Sequence, residues 1–153
     1  MQKPDQLLSL AYFPSISWFC HALQKGEIYI DGRENFQKQT YRNRCRILGP
    51  NGIQDLVVPV EHGSNRRMDE IQISHQSNWP KIHWKSMESA YRRSPYFEFY
   101  EDDLRPMFSD RWETLMSFNL KGIELILDLA QLELPIRRTE VYWPTSELVS
   151  DLR

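Results

Sequence analysis

Between residues 37 and 47 the chain reads QKQTYRNRCRI, with Arg42, Arg44 and Arg46 at every second position. Tyr41, Asn43, Cys45 and Ile47 fill the places between. Alternate side chains of a strand point to opposite faces, so in a strand the three arginines share one face. A row of guanidinium groups on a sheet either lies in water or holds an anion, and its planar forks suit phosphate or carboxylate. Lys38, just upstream, adds a further cation. Arg42 and Arg44 are the expected anion holders, and Arg46, further along, is expected in water.

Two other stretches can join this group. Tyr12-Phe13-Pro14-Ser15 and Asp31-Gly32-Arg33-Glu34-Asn35 each follow a short apolar run that reads as a strand. In open α/β sheets ligands gather beyond the carboxyl ends of parallel strands. Ser15 also stands where a helix begins, and the free backbone N–H groups of a helix start favour anions. Tyr12, Pro14, Ser15, Asp31, Lys38, Arg42, Asn43 and Arg44 are therefore expected near one rim. The bland alternative is a solvated basic strand beside a structural YFPS turn.

The four histidines, His21, His62, His75 and His83, show no HxxxH or HxH pairing, and with Cys20 and Cys45 they make no metal spacing. Small residues beside His83 on its helix face leave it room to reach a cleft as a general base, like Asp31; a packed core-edge histidine is the other reading. Neither cysteine belongs to a CxxC pair, which fits buried free thiols in a reducing compartment. No GxSxG, Walker A or GxGxxG motif is present, and no motif names a cofactor. The ring- and charge-rich stretch 83–103 reads as a helix with a mixed rim or as a flap carrying Arg92 and Arg93.

The elements that must position these residues follow from periodicity. Leu7 to Tyr12 reads as a strand, and Ile16, Phe19, Cys20 and Leu23 as the inner stripe of a helix from Ser15 to Gly26. Glu27 to Asp31 is a second strand, which makes a parallel βαβ unit. Tyr41 to Leu48 and Ile53 to Val60 flank GPNG as a hairpin with a four-residue loop. The segment 61–69 is polar and reads as an exposed loop, and Glu70 to His75 as a short strand. Asn78-Trp79-Pro80 opens a helix whose inner stripe is Trp84, Met87 and Tyr91, and Ser94-Pro95 closes it. Asp110 with Glu113 resembles a capping box for a long helix ending at Leu132. Gly122 inside that helix implies close packing against a neighbour. Residues 136–143 read as a last strand. The whole is expected to be one α/β domain over residues 1–153, with a mixed sheet, an early βαβ unit, an inserted β-hairpin and C-terminal helices.

With 153 residues, 41% hydrophobic, 26% charged and 12% aromatic, the chain can build a core of bulky rings. Its 19 basic and 21 acidic groups leave a net charge of −2, which does not imply a general nucleic-acid or membrane coat and leaves room for a local basic patch. Acidic runs at 69–70 and 98–103 argue against a long basic stripe. The N-terminal ten residues lack the apolar run of a signal peptide, and no stretch has the length of a membrane span, so a cytoplasmic address is expected.

The segments AYFPSISWF, QKQTYRNRCRILGPNG, LVVPV and NWPKIHWKSMESAYRRSPYFEFYEDDL together resemble the WbqC-like protein family of bacteria, over roughly residues 7 to 143. That family is found among genes for O-antigen and other surface polysaccharides. The resemblance implies a transferase-like cytoplasmic step in glycan assembly, with aminoacyl or glycyl transfer suggested for one branch. Arg42, Asn43 and Arg44 match the family's RNR motif, and Tyr12 and Pro14 its N-terminal motif. The partner implied is an anionic donor, a nucleotide sugar or acyl thioester. Two departures stand out. Leu10-Ala11 replaces a Gln-Pro pair, and relatives continue past this C-terminus, so a second copy or a partner is expected to cover exposed apolar surface. The other readings are a non-catalytic module binding glycan intermediates or nucleic acid, and a scaffold subunit of a glycan-synthesis assembly.

Overall fold

The computed structural model describes residues 7–61, 63, 67–139, 142 and 151–152. The expectations for residues 1–6, for 62 and 64–66 of the 61–69 loop, for 140–143 other than Tyr142 and for most of the tail lie outside the described residues.

The chain is α/β. Strand β1 (Leu7–Leu8) leads through helix α1 (Ile16–Lys25) to β2 (Ile28–Ile30), the expected parallel βαβ unit. Gly26 ends α1 in the left-handed region at φ +72, as a helix-stopping glycine should. Strand β3 (Arg44–Gly49) and β4 (Gly52–Val57) form the hairpin, and a 3-10 turn occupies Met68–Glu70. Helices α2 (Trp79–Tyr91), α3 (Phe97–Leu104), α4 (Pro106–Ser109) and α5 (Leu115–Leu129) follow, then β5 (Ile136–Arg138) and β6 (Asp151–Leu152).

Parallel and antiparallel pairing fall in two sheets. One is four-stranded and parallel, in the order β5-β2-β1-β6, and the other is the hairpin. Gly49 pairs with Gly52, so the connecting loop is Pro50-Asn51 rather than all four residues, and Gly52 takes φ +111, a conformation glycine allows. Strand β3 begins at Arg44, not Tyr41, because Arg42 and Asn43 are drawn into the core. Residues 70–75 make only single bridges, Gln72 to Thr114 and Ile73 to Val60. The cap of α5 is Thr114, whose hydroxyl accepts from the Ser117 N–H; Asp110 instead ends α4.

The core gathers Leu8, Leu10, Tyr12, Ile28 and Ile30 from the sheet region with Phe108, Phe118, Leu120, Ile123 and Leu127 from the helices. Helix α1 is rotated from expectation. Ala22 is fully buried, whereas Ile16 is 83% exposed and Leu23 44%. Trp18 explains the turn: its indole N–H donates 3.0 Å to the Ser9 carbonyl and fixes which side faces inward. In α2, Trp84 and Met87 are buried as expected, and Tyr91 lies at the surface.

Gly122 does pack closely. A Cβ built there would lie 3.4 Å from Phe13 Cε1 and 3.5 Å from the Met107 methyl. That is contact without clash, so Gly122→Ala should raise stability by up to about 1 kcal/mol through helix propensity. Gly122→Val adds two methyls to a filled slot and should cost about 1–3 kcal/mol. Urea unfolding of both variants checks the pair, and a loss of stability in Gly122→Ala would contradict the fit.

Candidate functional site

The YFPS turn is held from three sides. The Tyr12 N–H donates 2.9 Å to the Tyr41 carbonyl. Its ring is buried, and its hydroxyl lies 2.9 Å from His83 Nδ1. Phe13 adopts φ +43, rare for a residue with a side chain, while its ring stacks on Tyr12 and reaches Gly122. Strain of this kind persists only where neighbours over-determine it, and it clusters at functional sites.

Beside this turn lies a cleft of about 470 Å³, more enclosed than two wider depressions elsewhere. The turn and the start of α1 form one side, with Phe13, Pro14, Ser15, Ser17 and Trp18; Tyr41, Cys45 and Arg46 form the other. Among the described residues no carboxylate lines it, and Arg46 is the one charged residue that does. The start of α1 has no side-chain cap and no acidic residue in its first turn. Ser15 Oγ instead meets Ser17 Oγ at 2.8 Å. The first backbone N–H groups of a helix have no intrahelical partner, so those of α1 remain for a ligand.

The expected site residues divide. Tyr12, Pro14 and Ser15 line the cleft. Arg42 does not: its guanidinium is buried against Glu34, donating from Nε to Oε1 at 3.1 Å and from Nη2 to Oε2 and to Ser9 Oγ. Asn43 is buried, its amide donating 3.0 Å to the Val58 carbonyl. Arg44 points to Asp55 at 3.5 Å, where Arg46 also pairs at 2.7 Å. Two guanidiniums thus share one carboxylate, and that hairpin face stays positive. Lys38 is exposed and outside the cleft lining. Asp31 is fully buried at the end of β2, where Oδ1 accepts from the Arg33 N–H at 2.9 Å and faces Thr139 Oγ1 at 3.5 Å. Among the described residues no cluster of His, Cys, Asp and Glu is arranged to hold a metal, and no helix is long and apolar enough to cross a membrane.

His83 is buried beneath the cleft rather than on its wall. Burial lowers its pKa to about 4, against a smaller opposing pull from the Val57 carbonyl. The ring is therefore neutral at pH 7. The Val57 carbonyl takes its single N–H, and Nδ1 accepts from the Tyr12 hydroxyl. Tyr12 also hydrogen-bonds the Cys45 thiol. Burial pushes that thiol up to about 12 and raises Tyr12 well above its ordinary range, so Cys45, Tyr12 and His83 form a neutral chain. Sequence reasoning missed Glu34 as the partner of Arg42, and missed Trp18, Tyr41, Cys45 and Arg46 as cleft residues. Tyr41 and Arg46 were legible as an aromatic and a cation flanking the RNR motif, but nothing local in sequence shows which strand face meets the turn.

Two outcomes are expected. Removing one partner of the buried pair, as in Arg42→Ala or Glu34→Gln, should cost about 3–5 kcal/mol in denaturant unfolding; Arg46→Ala, at the surface, should stay within about 0.5 kcal/mol. His83 has a folded pKa below its unfolded value of 6.5. The unfolded chain thus binds more protons between pH 6.5 and about 4, and the stability tied to the neutral ring is lost as pH falls through that window. The slope should approach about 1.4 kcal/mol per pH unit. His83→Gln should flatten it; an unchanged slope would assign the acid sensitivity to other groups.

The chain has relatives. A family model described as the WbqC-like protein family matches residues 11–152. The uncharacterised protein Rv1507c of Mycobacterium tuberculosis is 27% identical over 116 residues, which is 75% of this chain and 50% of that protein. This chain thus spans half the length of that relative. No solved structure matches. The family match takes in the YFPS turn, the RNR segment, the hairpin and all the helices from α1 to α5, and by it the chain belongs to the WbqC-like protein family.

Proposed function

We propose that the chain is a transferase-type protein of bacterial O-antigen or surface-polysaccharide biosynthesis, acting in the cytoplasm on an anionic activated donor held in the cleft beside α1. Family membership supports the class. One observation carries the site: among the described residues the cleft lining has a cation, two serine hydroxyls and an uncapped helix start, and no carboxylate. An anion placed there meets favourable charge from both walls. Arg46, with the neighbouring Arg44, supplies the positive side, and the rings of Trp18 and Tyr41 suit the apolar part of a donor such as a nucleotide sugar or acyl thioester. Aminoacyl or glycyl transfer is the narrower form of this reading.

In it, Arg42 and Asn43 shape the cleft rather than touch the donor. The Tyr12 hydroxyl is oriented by His83. Asp31 and His83 were the expected bases, and both are buried away from the cleft wall. That placement favours a second reading, in which the cleft binds an anionic glycan intermediate without chemistry of its own.

Thermal unfolding with nucleotide sugars, nucleoside phosphates, acyl-CoA compounds and inorganic phosphate tests the site. A ligand at about 100 times its dissociation constant adds about 2.7 kcal/mol, a midpoint shift of a few degrees. The shift should appear in the unmodified chain and vanish in Arg46→Ala. A shift retained in that variant, or none with any of these compounds, would overturn the assignment. Release of the donor's leaving group by the unmodified chain separates transfer from binding.

A further inference from the structure

Helix α3 presents a face that neither the fold nor the cleft uses. Its sequence is FEFYEDDL. Phe97 points inward against Trp84, with ring centroids 6.1 Å apart. On the other side Phe99 is 75% exposed, Tyr96 67% and Tyr100 40%. Single exposed apolar residues are common on folded proteins, whereas three rings at i, i+3 and i+4 on one helix face are what interaction sites look like. Aromatic residues are also the side chains most enriched where proteins bind one another.

The charges within α3 have one sign, and Arg92 and Arg93 stand just before it. Helix α3 carries Glu98, Glu101, Asp102 and Asp103 and no lysine or arginine. Glu101 is engaged with Arg92 at 2.9 Å, and Arg92 is shared with Glu88 at 2.9 Å. Glu98, Asp102 and Asp103 make no ion pair among the described residues. At helical spacing Phe99 lies beside Asp102 and Asp103, and Glu98 beside Asp102. The surface is therefore exposed ring faces bordered by uncompensated carboxylates. The chain itself fills such a pattern twice nearby. The Arg92 guanidinium lies 5.7 Å over the Phe97 ring while pairing with Glu101, and the Arg105 guanidinium lies 5.6 Å over Trp84.

We propose that this face of α3 is the docking surface for a basic, arginine-bearing segment of a partner protein. Guanidinium planes stack on Tyr96, Phe99 and Tyr100, and their N–H groups reach Glu98, Asp102 and Asp103. Apolar residues between the partner's arginines cover the remaining ring surface. The same carboxylates repel nucleic acid and anionic lipid. The face is an outer helix surface without an enclosing wall, which suits an extended or helical polypeptide rather than a small cation. This docking surface is independent of the cleft reading.

The test is fluorescence anisotropy of the full chain with two labelled peptides. One alternates arginine and leucine over about two helical turns; the other has glutamate in place of arginine. Two surface variants run beside the unmodified protein. Tyr96→Ala/Phe99→Ala removes rings and keeps every charge; Asp102→Asn/Asp103→Asn removes charge and keeps the rings. Unchanged thermal midpoints show that both fold. The arginine peptide should bind the unmodified chain, weaken with salt, and lose roughly tenfold in affinity in each variant; the glutamate peptide should not bind. Three results would overturn the proposal. They are no binding of the arginine peptide, equal binding by the ring-removed variant (general attraction to acidic surface), and concentration-dependent self-association abolished by Tyr96→Ala/Phe99→Ala, which would make a second copy the occupant.

Discussion

The buried pair of Arg42 and Glu34 is the contact on which the arrangement of the site rests. Both side chains are nearly inaccessible, at 7% and 4% exposure. Taking two charges out of water is costly, and only close geometry with further hydrogen bonds offsets it. Here the guanidinium meets both carboxylate oxygens, and Ser9 Oγ serves as a third partner. Burial raises the Glu34 carboxyl and the Arg42 fork works against that rise, so the ionised state depends on the arginine staying in place. The backbone around Arg42 is just as occupied. The carbonyls of Tyr41, Arg42 and Asn43 accept in turn from the Tyr12 N–H, the Asn119 side chain and the Val58 N–H. Three consecutive residues thereby join the YFPS turn, helix α5 and the hairpin. The RNR motif of this chain is first an internal joint.

The cleft is a consequence of that joint. One wall comes from the YFPS turn and α1, the other from Tyr41 and β3, and the bond from Tyr12 N–H to Tyr41 carbonyl sets their separation. Phe13 can hold its positive φ because its ring is fixed between Tyr12, Phe108 and the slot at Gly122. The neutral chain through Cys45, Tyr12 and His83 closes the floor. Burial raises its thiol and phenol pKa values and lowers that of its imidazole, and a nucleophile at Cys45 would need the opposite shift.

What was legible in the sequence were the features carried by local chemistry. Ser15 and Gly26 bound α1, Pro80 sits in the first turn of α2, the βαβ unit closes in parallel, and Gly122 marks a close approach. The errors are of another kind. The spacing of Ile16, Phe19, Cys20 and Leu23 announces an amphipathic helix, but the inward side is chosen by Trp18 reaching back to Ser9 and by Ala22 fitting the sheet, contacts that periodicity does not encode. Alternation at residues 41–47 announces a strand, yet the strand starts at Arg44, since burial of Arg42 and Asn43 bends the chain inward first. Asp110 and Glu113 have the spacing of a capping box, and Thr114 wins because the residues beside it are already held: the Glu113 carbonyl accepts from the Ile73 N–H and the Leu115 N–H donates to the Ile71 carbonyl.

The arginines show most sharply why site residues were harder to read than elements. Arg42 finds Glu34, Arg44 and Arg46 find Asp55, Arg67 finds Asp69 and Glu70, Arg92 finds Glu88 and Glu101, and Arg137 finds Glu27. In a chain with 21 acidic side chains and 19 basic ones, six of the eleven arginines among the described residues meet an internal carboxylate. The presence of arginine therefore says little about where an outside anion binds. The informative quantity is the local excess of positive charge after internal pairing. That excess appears where two arginines share Asp55 next to a helix start without an acidic first turn. It can be computed only when the folded partners are known, which is why the motif was visible in the sequence and the polarity of its surroundings was not.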